Sequence, residues 1–181
     1  MNYFFTADTH FGHANIIRYC NRPFSSVEEM DVEIIKKWNS KVGKNDTVFH
    51  LGDFAFGKTE FDFNKYYNAL NGKIVFIKGN HDSLAWANRN KFESFSSGYY
   101  EANINGQLIV LSHYAMLVWN KSHYGSYSLF GHSHGTLPDN PNSLSFDCGV
   151  DTNNFYPYSF DEVRARMKKK TFIPIDHHGK N

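Results

Sequence analysis

The run Ile74-Val75-Phe76-Ile77 constrains this chain more than any other stretch. A continuous apolar run leaves a strand no polar face, so the strand must be buried on both sides. Residues 3–7 and 47–51 also read as strands, and helical patterns lie between the strands. Ser26-Val27-Glu28-Glu29 matches a capping box and opens a helix to about Val42. Met30, Ile34, Trp38 and Val42 fall four apart on one face of it. Residues 61–70 and 84–91 carry shorter helical patterns. The second half is richer in β-structure. Residues 99–104 and 107–112 flank Asn105-Gly106, a two-residue hairpin signal. Residues 127–130 read as another strand. Ser159-Phe160-Asp161-Glu162 is a second capping box, before a helix to about Met167. This order predicts an α/β fold of two sheets with helices outside. The 181 residues favour a single domain spanning 1–181.

In such folds ligand sites collect beyond the carboxyl ends of strands, and there the polar motifs lie. Asp8-Thr9-His10 follows the first strand, and residues i and i+2 of an extended segment point the same way. Gly52-Asp53 follows the second strand; its carboxylate has two oxygens and can bridge two cations. Gly79-Asn80-His81-Asp82 follows the third. Asn80 offers an amide oxygen, and His81 can donate a proton while Asp82 orients its ring. His113 follows the strand ending at Ser112, and Gly131-His132-Ser133-His134-Gly135 follows the one ending at Phe130. Each motif alone also reads as turn chemistry or a packed histidine. Five in this order, each at a strand end, point to metal. Mixed N and O donors without thiolate suit Mn, Fe, Zn or Ni, and exclude an all-oxygen calcium cage.

This order of motifs resembles the calcineurin-like metallophosphoesterase superfamily, whose pattern runs D-x-H, G-D, G-N-H-D/E, H, G-H-x-H. Every position is filled here, from Asp8 to His134. Asp8-Thr9-His10-Phe11-Gly12-His13, followed by Asn21-Arg22-Pro23-Phe24, is similar to a small bacterial and phage branch. The resemblance implies a central two-sheet β-sandwich flanked by helices, in four αββα layers. It also implies that Asp8, His10 and His134 bind one metal and that Asn80, His113 and His132 bind another. Asp53 would bridge both, His81 would be the general acid, and Asp82 its support. Asp147 and Asp151 look like the family's late structural segment.

The implied activity is hydrolysis of a phosphodiester or phosphomonoester, with the diester favoured. Two cations roughly 3.5–4 Å apart clamp a phosphate and hold a bridging hydroxide for in-line attack. Manganese is the favoured ion of the two-metal cofactor, with iron, zinc or nickel as alternatives. A formal charge of +1 argues against a long nucleic-acid track. A nucleotide or nucleic-acid end fits more easily than the alternatives, a nuclease on long chains or a non-catalytic scaffold.

Other residues have two readings. His13, at a helix start, is expected to bind substrate phosphate; a local cap or packing role is the alternative. Arg22 can pair bidentately with a phosphate or form a surface ion pair. His50 reads as a packed strand residue and His123 as exposed; His177 and His178 sit in the tail. Trp86, Trp119 and the tyrosines near Gly98 and Gly125 offer a base-stacking rim, but aromatics this frequent read first as core. Cys20 and Cys148 read as free thiols in a reducing compartment, hence the cytoplasm. No apolar run approaches membrane-spanning length.

Overall fold

The computed structural model describes residues 1–176; His177 and His178 lie outside the described residues. The first half contains β1 (Tyr3–Thr6), α1 (Ala14–Tyr19), α2 (Val27–Lys41), β2 (Thr47–His50), α3 (Glu60–Tyr67) and β3 (Lys73–Ile77). The short α4 (Ser83–Ala87) and β4 (Ser94–Ser96) follow. The second half holds β5 (Tyr99–Ile104), β6 (Gln107–Ser112), β7 (Tyr127–Phe130), β8 (Ser145–Asp147), β9 (Tyr158–Ser159) and α5 (Phe160–Met167).

Two sheets form the centre, with helices flanking them. One runs β4-β3-β2-β1-β9, the other β5-β6-β7-β8. β1, β2 and β3 are parallel, in the register Phe4↔Val48↔Ile74. Their side chains alternate between two cores. Phe4, Val48, Ile74 and Phe76 meet Met30, Ile34, Trp38 and Phe63 from the helices. Phe5, Phe49, Val75 and Ile77 meet Ile109, Leu111, Leu129 and Phe146 of the second sheet. The apolar run of β3 is therefore buried on both faces, as its composition demands.

Local signals act mostly where expected. Asn105 and Gly106 take φ of 52° and 84°, and the hairpin pairs Ile104 with Gln107. Ser159 and Glu162 form the capping box of α5. At α2 the box is incomplete. Ser26 accepts from the Glu29 N–H, but the Glu29 carboxylate reaches Ser25, one residue too early. Helix α4 ends at Ala87 with a 3₁₀ turn at Arg89–Lys91, short of the single helix expected over 84–91. Trp86, Tyr99 and Tyr124 are exposed and not core. His123 is half-buried beside Asp176, not exposed. No described helix is long and apolar enough to cross a membrane.

Candidate metal centre

Parallel pairing carries the ends of β1 and β2 onward as paired loops. The Asp8 N–H donates to Gly52 O and the His10 N–H to Asp53 O, at 2.9 and 3.0 Å. Beyond β3, the Asp82 carboxylate accepts from the N–H groups of Asp53, Phe54 and Gly79 at 2.6–2.9 Å. From the second sheet, the His132 N–H donates to both oxygens of Asp8. Four separated loops are thus tied by backbone-to-backbone and backbone-to-carboxylate bonds. The motif glycines permit this closeness. A Cβ on Gly52, where φ is +94°, would stand 2.5 Å from the Gly79 nitrogen; one on Gly131 would stand 2.5 Å from the Ala7 Cβ.

Seven residues singled out by their motifs converge here. Asp8, His10 and His134 form one group, and Asp53, His113 and His132 another, each with ligand atoms within 4.8 Å of one another. The Asn80 amide oxygen lies 2.8 Å from His113 Nε2 and 3.0 Å from His132 Nδ1. The Asp53 Oδ2 lies 3.5 Å from His10 Nε2 and 3.6 Å from His113 Nε2, between the two groups. Asp8, His10, Asp53, His132 and His134 all take left-handed backbone, with φ from 48° to 67°. Each such residue costs roughly 1–3 kcal/mol and persists only where the surroundings hold it. Strain concentrated on five of seven converging side chains marks a functional site.

The donor set fits divalent cations. His10 Nε2 is buried without a hydrogen-bond partner among the described residues. Burial, reinforced by neighbouring His134 and Arg22, holds the His10 imidazole far below its ordinary range, so it is a neutral donor. His113 Nδ1 lies 2.8 Å from Leu51 O, an acceptor, so Nδ1 carries the proton. Its Nε2 lone pair then faces the oxygens of Asn80 and Asp53, an arrangement that asks for a cation. Burial, with nearby Asp147, pushes the Asp8 carboxyl well above the usual range. A positive ion would offset that cost.

Three expectations change. Arg22 is neither a surface residue nor a phosphate clamp. It is buried, and its donors go to both Asp151 oxygens (2.8 Å each), to the carbonyls of Asp8 and Thr9, and to Met30 Sδ. With five N–H groups so engaged, it has none for a ligand. Asp82 does not orient the His81 ring, because its oxygens are taken by the three backbone N–H groups. His81 is exposed, and its own N–H donates to Asp53 Oδ1. Asp151 proves central. It holds His134 Nδ1 at 2.7 Å as well as Arg22. Burial works to raise Asp151, but hydrogen bonds from His134 and Arg22 outweigh it and hold the carboxyl low.

His13 makes no side-chain cap on α1. Its ring stacks on Phe56 at 3.8 Å, and its Nδ1 lies 3.4 Å from that of His10. His50 is packed, with Nε2 3.0 Å from Thr9 Oγ1. Phe56, beside His10, His13 and His81, and Tyr114, edge-on to His132 at 4.6 Å, carried no motif signal. Cys20 stands with His134 and Asp151; burial lifts its thiol to about 11.

A family model described as calcineurin-like phosphoesterase matches residues 1–181. The chain belongs to the calcineurin-like phosphoesterase family. The uncharacterized protein MJ1445 of Methanocaldococcus jannaschii is 36% identical over 169 residues, covering 90% of this chain and 89% of that protein. The Gene 66 protein of Mycobacterium phage L5 is 38% identical over 90 residues, 49% of this chain and 43% of its own length. Among solved structures, AQ665 of Aquifex aeolicus, a protein of unknown function, superposes with a TM-score of 0.71 at 22% identity. That match covers 91% of this chain and 98% of the other and shows a shared fold. Family membership and the converging ligand groups make this chain a metal-dependent phosphoesterase.

Proposed function

We propose that the enzyme uses two metal ions to hydrolyse a phosphodiester, with a nucleotide or nucleic-acid end as substrate. The observation that supports this reading is the position of the Asp53 carboxylate, whose Oδ2 lies between His10 Nε2 and His113 Nε2. Asp8, His10 and His134 would hold one ion and Asn80, His113 and His132 the other, with Asp53 shared. When bound, two divalent transition-metal ions, manganese favoured, supply positive charge for a phosphate and acidify a water towards a pKa of about 7.

The protein's own groups supply the rest. Asp151 keeps the His134 proton on Nδ1 and leaves Nε2 free as a donor. Leu51 O does the same for His113. His81 delivers a proton to the departing ester oxygen; its exposed ring can turn to meet it. His13 contacts the phosphate from the Phe56 side. Arg22, spent internally, offers no fork for the second charge of a monoester, which favours a diester. Free thiols at Cys20 and Cys148 suit a reducing compartment, the cytoplasm.

The test is hydrolysis of bis-p-nitrophenyl phosphate against p-nitrophenyl phosphate, with Mn, Ni, Mg or Zn and after chelation. Metal-dependent diester turnover exceeding monoester turnover is expected. Monoester preference would overturn the substrate assignment, and no turnover with any ion would favour a scaffold.

A further inference from the structure

A cavity of about 690 Å³ opens beside the metal centre. His134, Asp147 and Asp151 belong to its wall, so it is continuous with the site already described. Met116, Leu117, Trp119, Leu137, Phe172 and Ile173 supply its apolar lining. The lining is anchored at several points. The N–H groups of Thr171 and Ile173 donate to Pro141 O and Asn142 O at 2.8 and 3.0 Å. Ser122 Oγ donates to Asp176 at 2.7 Å, and Trp119 Nε1 to Ser126 Oγ at 3.0 Å.

The charges around this cavity select against a second anionic group. Arg166, the guanidinium in the wall, lies 3.2 Å from Asp139, which also binds Lys170 at 2.5 Å. Asp147 accepts from the N–H groups of Gly135 and Gly149, and Asp151 is held by Arg22 and His134. A ligand group entering here meets apolar surface and carboxylates. Leu117, Leu137 and Ile173 are nevertheless 80%, 46% and 53% exposed. Large apolar side chains left open at the mouth of one cavity mark a binding surface, unlike the same residues scattered singly. The volume falls in the range of small-molecule sites.

We propose that this cavity seats an uncharged, ring-bearing group esterified to the phosphate, and so selects substrates by their organic part. This rests on the phosphoester reading of the metal centre. The cavity shares His134 and Asp151 with that centre, and Trp119 and Phe172 in its lining supply aromatic surface.

Calorimetric titration of the metal-loaded protein with methyl-, phenyl- and 1-naphthylphosphonate tests it, since these share a head group and differ only in the organic part. Phenyl- and naphthylphosphonate should bind roughly 10–100-fold more tightly than methylphosphonate, from the apolar area they bury. Leu137→Asn combined with Ile173→Asn should erase that preference and leave methylphosphonate affinity unchanged. Both side chains are half exposed, so folding should survive, and a circular dichroism melt checks this. Equal affinity of the wild type for all three phosphonates would overturn the proposal without touching the metal centre. So would a double variant that keeps the preference, because the organic part would then be held elsewhere. Absence of metal-dependent turnover of any p-nitrophenyl phosphoester would overturn the phosphoester reading, and this proposal with it.

Discussion

The carboxylate of Asp53 and the imidazole of His10 meet in the interior, Oδ2 3.5 Å from Nε2, with both side chains 2% exposed. Among the described residues neither group is charge-paired by a Lys or Arg at that point, and His113 approaches the same oxygen at 3.6 Å. A buried carboxylate between two neutral imidazoles is costly unless a cation joins them.

Asp53→Asn keeps the shape and removes the charge. Metal-loaded wild type should hold about two transition-metal ions per chain, and the variant should lose affinity at both positions. Activity should fall by roughly 10²-fold or more, since such charge stabilisation is worth several kcal/mol. Elemental analysis and kcat/KM on one preparation check both. A saturating stoichiometry of one in the wild type, or near-normal turnover in the variant, would overturn the shared-carboxylate assignment.

His81 stands beside Asn80 with its ring 5.9 Å from that of His10. His81→Ala should keep its metals. It should lose roughly 10²–10⁴-fold on an ester with an alkoxide-like leaving group and much less on a p-nitrophenyl ester, which leaves well without a proton. The measurement is kcat/KM on both esters at matched metal content. Equal losses would make His81 a phosphate-positioning residue, and loss of metal would make it a ligand.

Asp151 serves two partners, His134 and Arg22. Asp151→Asn should weaken metal binding about 10–100-fold by freeing the His134 ring. It should also leave a buried guanidinium short of its counter-charge, with roughly 3–5 kcal/mol lost from the apoprotein. Competitive metal titration and urea unfolding separate the two effects. Unchanged metal affinity alongside reduced stability would limit Asp151 to holding Arg22.

His50 is buried among Trp38, Phe54 and Phe76, and burial pushes its imidazole down to about 3. The fold keeps it neutral while the unfolded chain takes up a proton below about pH 6.5. Its contribution is therefore complete above that pH and is lost as pH falls towards 3, at ~1.4 kcal/mol per pH unit. His50→Phe should make the acid dependence shallower by that slope between about pH 6 and pH 4. Urea unfolding at several pH values checks this, and identical slopes would mean that His50 is protonated within the fold.

Much of the frame was legible in the chain. The apolar run of β3 suits a strand buried on both faces, and Asn105-Gly106 signals a tight hairpin. Both are local statements, and local sterics and solvation decide them. The gathering of Asp8, His10, Asp53, Asn80, His113, His132 and His134 was equally legible in the motifs, because parallel strands bring the loops at their carboxyl ends to one edge. Capping was less secure. Glu29 had two acceptable donors one residue apart, and in the folded chain its carboxylate meets both the N–H and the hydroxyl of Ser25.

The amino-acid sequence by itself singled out the residues that gather, through motifs at strand ends and their likeness to the family's pattern, and it placed them at the carboxyl edge of the strands. Only the tertiary structure decided what Arg22, Asp82 and Asp151 do. Arg22 and Asp151 are 129 positions apart, and they pair because burial makes each charge costly unless a counter-charge meets it. Asp82 turned from its neighbour His81 to three backbone N–H groups, of which those of Asp53 and Phe54 came within reach only once the β2 and β3 loops met. The cavity beside His134 has the same origin, for its walls come from segments that no local pattern joins. Side-chain chemistry is a property of the residue. The partners on which that chemistry is spent are a property of the packed chain, where desolvation makes an unpaired group too costly to leave alone.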